Sequence, residues 1–165
     1  VNFEPNFWTE WKKGDVVLMR GDIGAGKTAF CRGLLQVLTG EPDLHPPSPT
    51  YMLSIPYDAP SLGCMVHHMD LYRFEDADVT SFGCLDLASA FEHGISAIEW
   101  SEHLPSALTP SGSLVVHVDV VGESSRNFFF TPHGNSARWD DGSMQSLANA
   151  LEGVDGVSPG VLSES

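Results

Sequence analysis

The sequence predicts an α/β protein, a single domain built on a mainly parallel sheet flanked by helices. Three observations carry this. Short apolar runs bounded by glycine, proline or acid recur along the chain, as buried strands do. Stretches with helical spacing lie between them, and strand–helix alternation is the mark of a layered, mostly parallel sheet. The 165 residues are 42% hydrophobic and 18% charged, enough for one core and unlike a disordered chain. The expected domain spans residues 1–152. Residues 153–165, rich in glycine, serine and acid, are expected to form a disordered tail.

The elements follow in order. Residues 15–20 (DVVLMR) form a short apolar run and read as a buried strand. A glycine-rich turn, 21–26, comes next. Residues 27–39 place Phe30, Leu34, Val37 and Leu38 at helical spacing, with Gly40 as the stop and Pro42 beyond it. Four prolines within residues 41–49 require a loop. Strands are expected at 50–55 and 64–69, the second ending at Asp70. Residues 78–93 read as two short helical pieces broken at Gly83, with Gly94 as the stop. A strand is expected at 95–100 (ISAIEW) and a weak helix at 101–108. A long strand is expected at 113–121, with a neighbour at 127–131, and a terminal helix at 141–151.

The turn after the first strand carries the chemistry. Gly21-Asp22-Ile23-Gly24-Ala25-Gly26-Lys27-Thr28 fits the phosphate-loop pattern G-x-x-x-x-G-K-[ST] at every fixed position, between a strand and an amphipathic helix. The fold class is thereby sharpened to a P-loop NTPase-like sheet. Glycines let the backbone coil so that the N–H groups of residues 22–28 turn inward, and the helix N-terminus adds its positive end. Lys27 supplies a point charge to the β/γ-phosphates, and the Thr28 hydroxyl can ligate Mg²⁺.

A nucleotide site also needs a second metal contact and a group that orients water. Asp70 and Glu99 are acids at strand ends, and in a parallel sheet both project at the rim that holds the phosphate loop. Each alone reads equally well as a solvated strand-end carboxylate. His68 shares a strand face with Asp70 and supports that face; a packed imidazole is the plainer alternative. Arg73 can reach a transferred phosphate or pair with Glu75 or Asp76, and the ion pair is favoured. Trp100 walls the site or belongs to the core.

The phosphate loop, Ser48-Pro49-Thr50-Tyr51, His68-Met69-Asp70-Leu71-Tyr72-Arg73 and Ile98-Glu99-Trp100-Ser101-Glu102 occur in the order and spacing of the TsaE (YjeE) family, which the chain resembles over roughly residues 13–121. The resemblance implies a small P-loop ATPase using ATP and Mg²⁺ in the pathway that makes N6-threonylcarbamoyladenosine at position 37 of tRNAs. It implies partners similar to TsaB and TsaD, whose complex would be reset by ATP hydrolysis. Lys27 and Thr28 would hold phosphate and Mg²⁺, and Glu99 would complete the metal site. Asp70 would position or activate water. Ser48 to Thr50 would form a switch-like loop sensing the γ-phosphate. The family usually has an extra strand and helix before the phosphate-loop strand, where this chain is short. No family motif matches beyond Arg126.

With 22 acidic and 8 basic residues the net charge is −14, which disfavours direct binding to DNA, RNA or anionic membrane. Any tRNA is therefore expected to be held by partners. No apolar run approaches the roughly 20 residues of a membrane-spanning helix, and no secretory signal opens the chain. Cys31, Cys64 and Cys84 form neither a disulfide framework nor a zinc pattern, so a reducing, cytoplasmic setting is expected. The chain opens on Val1, which keeps an organelle as the alternative. The competing functions are a P-loop small-molecule kinase, which would need a cluster of lid arginines, and a nucleotide-dependent binding switch with negligible turnover.

Overall fold

A computed structural model describes residues 11–123, 125–134, 137–140 and 143. The apolar run after Gly14 becomes β1 (Val16–Arg20), buried on both faces. The phosphate loop leads into α1 (Lys27–Thr39), whose bounds are those expected from the apolar spacing. Gly40, at φ 75°, closes the helix by donating its N–H to the Val37 carbonyl, a left-handed cap that glycine adopts at least cost. The sheet continues with β2 (Ser54–Ala59) and β3 (Cys64–Asp70). A short helix, α2 (Leu87–His93), then leads to β4 (Ile95–Glu99), followed by β5 (Ser113–Val120) and β6 (Arg126–His133).

The strand order is β2-β3-β4-β1-β5-β6. The four inner strands are parallel, and β2 and β6 are antiparallel edges. The sheet is thus mainly parallel within one α/β domain, as expected, and β1 lies inside it with two neighbours. Both edge strands carry a proline, Pro56 and Pro132, in keeping with the missing N–H that excludes proline from inner strands.

Side chains alternate between two packed layers, as strand period dictates. Val17, Met19, Val66, Ala97 and Val116 face α1 and meet Phe30, Leu34 and Leu38. Val16, Leu18, Met69 and Ile98 face the other way, onto Phe74, Phe82, Leu85 and Leu87. Each fully buried aliphatic contributes about 1.5–3 kcal/mol. The triple phenylalanine of β6 obeys the same alternation. Phe128 and Phe130 pack on Phe30 at centroid distances of 5.6 and 6.2 Å, while Phe129 points outward.

Four expectations are corrected. The strand expected at 50–55 begins only at Ser54, because Leu53 takes a positive φ of 65° and residues 50–53 turn. The break in the second helical region falls at Asp86, left-handed at φ 45°, and not at Gly83, and the piece before it (Val79–Leu85) is a 3-10 helix. The expected helix at 101–108 is two separate 3-10 turns, Ser101–His103 and Ser106–Leu108, divided by Pro105. The strand expected at 95–100 ends at Glu99, since Trp100 is left-handed. The expected terminal helix at 141–151 and the tail at 153–165 lie outside the described residues, Ser143 excepted.

Candidate functional site

The parallel core sets the site. In register, Asp70 of β3 is paired with Glu99 of β4, and Glu99 with Met19 of β1, one residue before the strand's end. The carboxyl ends of three adjacent strands therefore coincide, and the phosphate loop leaves from one of them. Residues two apart share a face, so His68 and Asp70 project with Glu99 toward α1. The close approach at the loop's start requires glycine. Gly21 sits at φ 130°, and a Cβ there would collide with the Val118 carbonyl of β5.

Around this rim lies a cavity of about 420 Å³, within the range of small-ligand sites. Its floor is Gly24, Gly26, Lys27 and Thr28, and its walls include Asp70, Glu99, Tyr72 and Trp100. Ile23, Ser48 and Thr50 complete the mouth. Of the residues expected to hold a cofactor, Asp22 and Ala25 do not line the cavity. The Asp22 carbonyl accepts from Lys27 at 2.9 Å, and Ala25 is buried in the core beneath the loop.

The polar groups are already engaged with each other. Lys27 is 4% exposed. Its Nζ donates to the Gly21 and Asp22 carbonyls and lies 3.6 Å from the Trp100 ring centroid, a cation–π contact. Burial pushes its pKa below the usual 10.5, opposed by the nearby charges of Glu102, Glu99, Asp70 and Asp22. Thr28 Oγ1 donates to Glu99 Oε2 at 2.7 Å, and Glu99 Oε1 meets His68 Nε2 at 2.8 Å. Asp70 accepts from the hydroxyls of Ser48 and Thr50 and from the Tyr72 N–H at 2.8 Å. The Ser48–Thr50 loop is thus tied to Asp70 across the cavity.

Trp100 is both wall and partner, half-buried, with Tyr72 at 5.0 Å and His103 stacked at 5.8 Å. Its left-handed φ of 57° is costly for a bulky residue, and such strain gathers at functional sites. Arg73 corrects an expectation: among the described residues it makes no ion pair with Glu75 or Asp76, and its guanidinium lies 5.9 Å from the Tyr51 ring.

Two participants were not identifiable from local sequence. Arg126 of β6 donates from Nε to the Ala25 carbonyl at 3.0 Å, bracing the loop across 101 residues. Cys31, one helical turn after Thr28, is buried beside His68 and Glu99. Burial pushes its thiol pKa up, with Glu99 and Asp70 adding to the effect. No spacing pattern links these residues; only the packing of α1 on the sheet does.

The donor set suits a hard cation and polyphosphate. A hydroxyl and carboxylates are the oxygen ligands that Mg²⁺ takes, and Lys27 with the N-terminus of α1 suits phosphate. Fold and site define the class: an α/β protein of the P-loop kind. The chain belongs to the TsaE family, whose description, threonylcarbamoyl adenosine biosynthesis protein TsaE, matches residues 2–128. The Rickettsia typhi protein named tRNA threonylcarbamoyladenosine biosynthesis protein TsaE is 35% identical over 109 residues, covering 66% of this chain and 72% of that protein. The proteins of the same name from Nostoc sp. and Bacillus subtilis are 38% and 34% identical over 122 and 125 residues, covering 72% and 75% of this chain and 71% and 73% of theirs. A crystal structure of Bacillus subtilis YdiB aligns with TM-score 0.63 and 25% identity, over 88% of this chain and 84% of that one.

Proposed function

We propose that this chain is an ATP-hydrolysing, Mg²⁺-dependent P-loop protein of the tRNA threonylcarbamoyladenosine pathway, which resets a complex of TsaB-like and TsaD-like partners between turnovers. The observation that carries the reading is the Thr28–Glu99 contact of 2.7 Å beneath the phosphate loop, with Asp70 on the adjoining strand end. Thr28 and Glu99 would hold Mg²⁺, which supplies charge neutralisation at the phosphates. The loop N–H groups and Lys27 bind and orient the triphosphate, and Lys27 gives up its two carbonyl partners to do so. Asp70 orients water, and the Ser48 and Thr50 hydroxyls that now bond it become free to meet the terminal phosphate. Trp100 and Tyr72 wall the cavity against solvent. With a net charge of −14, tRNA is held by the partners and not by this chain. The same reading places the protein in the cytoplasm.

The test is reconstitution with TsaB-like and TsaD-like proteins and substrate tRNA. Multiple rounds of modification should require this chain and ATP, and dispensability of either would overturn the proposal. Phosphoryl transfer to a nucleoside or nucleotide would favour a kinase instead. Lys27→Ala should weaken ATP binding by at least about 100-fold, near 2.7 kcal/mol, measured by calorimetry. Affinity like that of the unaltered protein would remove the phosphate role of Lys27.

A further inference from the structure

We propose that Cys31, His68 and Glu99 form a second cation site, selective for a thiophilic divalent ion of the Zn²⁺ class, and that filling it withdraws Glu99 from the magnesium position. The three side chains come from different elements: Cys31 from α1, His68 from β3 and Glu99 from the end of β4. All are buried, and one donor atom of each lies within 4.8 Å of the others. A tetrahedral Zn²⁺, with bonds of about 2.0–2.3 Å, holds its ligand atoms about 3.3–3.8 Å apart. Closing on an ion therefore asks for movements of about 1 Å at most.

A second observation points the same way. His68 is fully buried, and its Nε2 already meets Glu99 Oε1 at 2.8 Å, so two of the three donors stand side by side. In the tautomer that carries its proton on Nδ1, the Nε2 lone pair is the one on the Glu99 side, where a shared ion would bind. The donor chemistry is selective as well. A thiolate, an imidazole and a carboxylate suit zinc and its neighbours, whereas Mg²⁺ takes oxygen ligands. On binding, the Cys31 thiol releases its proton to solvent, a loss that burial opposes and the metal bond drives. Three protein ligands leave a fourth position open, the arrangement of a reactive or inhibitory site more than of a closed structural one.

The regulatory half of the inference rests on the proposed magnesium role of Glu99; the binding half does not. The probe is Co²⁺, added to the nucleotide-free full chain under reducing conditions. A thiolate-to-cobalt charge-transfer band in the near ultraviolet is expected, with visible bands of tetrahedral strength, both bleached by Zn²⁺. The near-ultraviolet band should vanish in Cys31→Ser and in Cys31→Val, each checked for folding by circular dichroism. It should persist when Cys64 and Cys84 are both replaced by serine, a result that does not depend on how a Cys31 variant folds. ATP with excess Mg²⁺ should weaken Co²⁺ binding about tenfold or more, since the loss of even an outer-shell partner costs a metal site that much. No band in the unaltered chain, or a band that survives in the Cys31 variants, overturns the site. A Cys31-dependent band indifferent to Mg²⁺ and ATP overturns the mutual exclusion. A Cys31-dependent band in a chain that hydrolyses no ATP upholds the metal site and counts against the ATPase reading alone.

Discussion

Asp15, just before β1, and Glu99, at the end of β4, sit at opposite ends of the sheet and are equally buried, each 2% exposed. Their surroundings differ. Asp15 receives Arg138 in a two-pronged contact, Nε at 2.7 Å and Nη2 at 2.8 Å, and the Lys12 N–H at 2.9 Å. The guanidinium also lies 4.2 Å from the Trp139 ring, Trp139 meets Trp11 edge-on at 5.5 Å, and its Nε1 donates to the Gly112 carbonyl. That end is closed, with its negative charge matched by a fixed cation. Glu99 has a hydroxyl and an imidazole, and no arginine or lysine within 4.0 Å among the described residues. A buried carboxylate matched by arginine is architecture. One held in place by a threonine and a histidine has no arginine or lysine bound to it among the described residues, as the proposed magnesium role requires.

The largest expected effect tests the closed end. Arg138→Ala leaves Asp15 buried without its partner and should cost about 3 kcal/mol or more in urea unfolding, with nucleotide affinity unchanged. A cost below about 1 kcal/mol would mean that the pair is surface-like and the contrast false. Next comes Glu99→Gln. Hydrolysis in the presence of partners should fall at least about 100-fold, with binding less affected. The unfolding free energy of the nucleotide-free protein should stay within about 1 kcal/mol or rise. A large loss of stability with full activity would reverse the roles assigned to the two ends.

The smallest effect concerns Lys27, whose pKa is lowered by burial. Below that lowered value the lysine is protonated in both folded and unfolded chains, and the burial penalty is fully present. As pH rises through it toward the unfolded value near 10.5, the folded chain loses its proton first and the penalty is lifted. Lys27→Met should therefore be more stable than the unaltered, nucleotide-free protein near neutral pH, with the difference shrinking as pH climbs. A difference independent of pH would show that the ammonium is not the strained group.

The legible parts of this molecule are those whose physics is local. The loop sequence specifies its own backbone, and α1 runs from Lys27 to Thr39 because apolar spacing and Gly40 both say so. Asp70 and Glu99 were visible as strand-end acids, but their adjacency depends on β3–β4 register, which no single segment encodes. The start of β2 was misplaced because Ser48 and Thr50 are drawn to Asp70, some twenty residues ahead. Asp15 and Arg138 are 123 positions apart, and neither carries a mark of the other. The triad of Cys31, His68 and Glu99 is equally silent in the sequence, since its members meet only when helix and sheet pack.

The border strand β6 presents Phe128, Phe129 and Phe130 in a row, a segment of the kind that templates cross-β fibrils. Arg126 at one end and Pro132 near the other flank it as gatekeepers, a charge and a missing amide that hinder another extended chain from docking alongside. Arg126 thus serves two purposes at once, guarding this edge against fibre growth and bracing the phosphate loop through the Ala25 carbonyl.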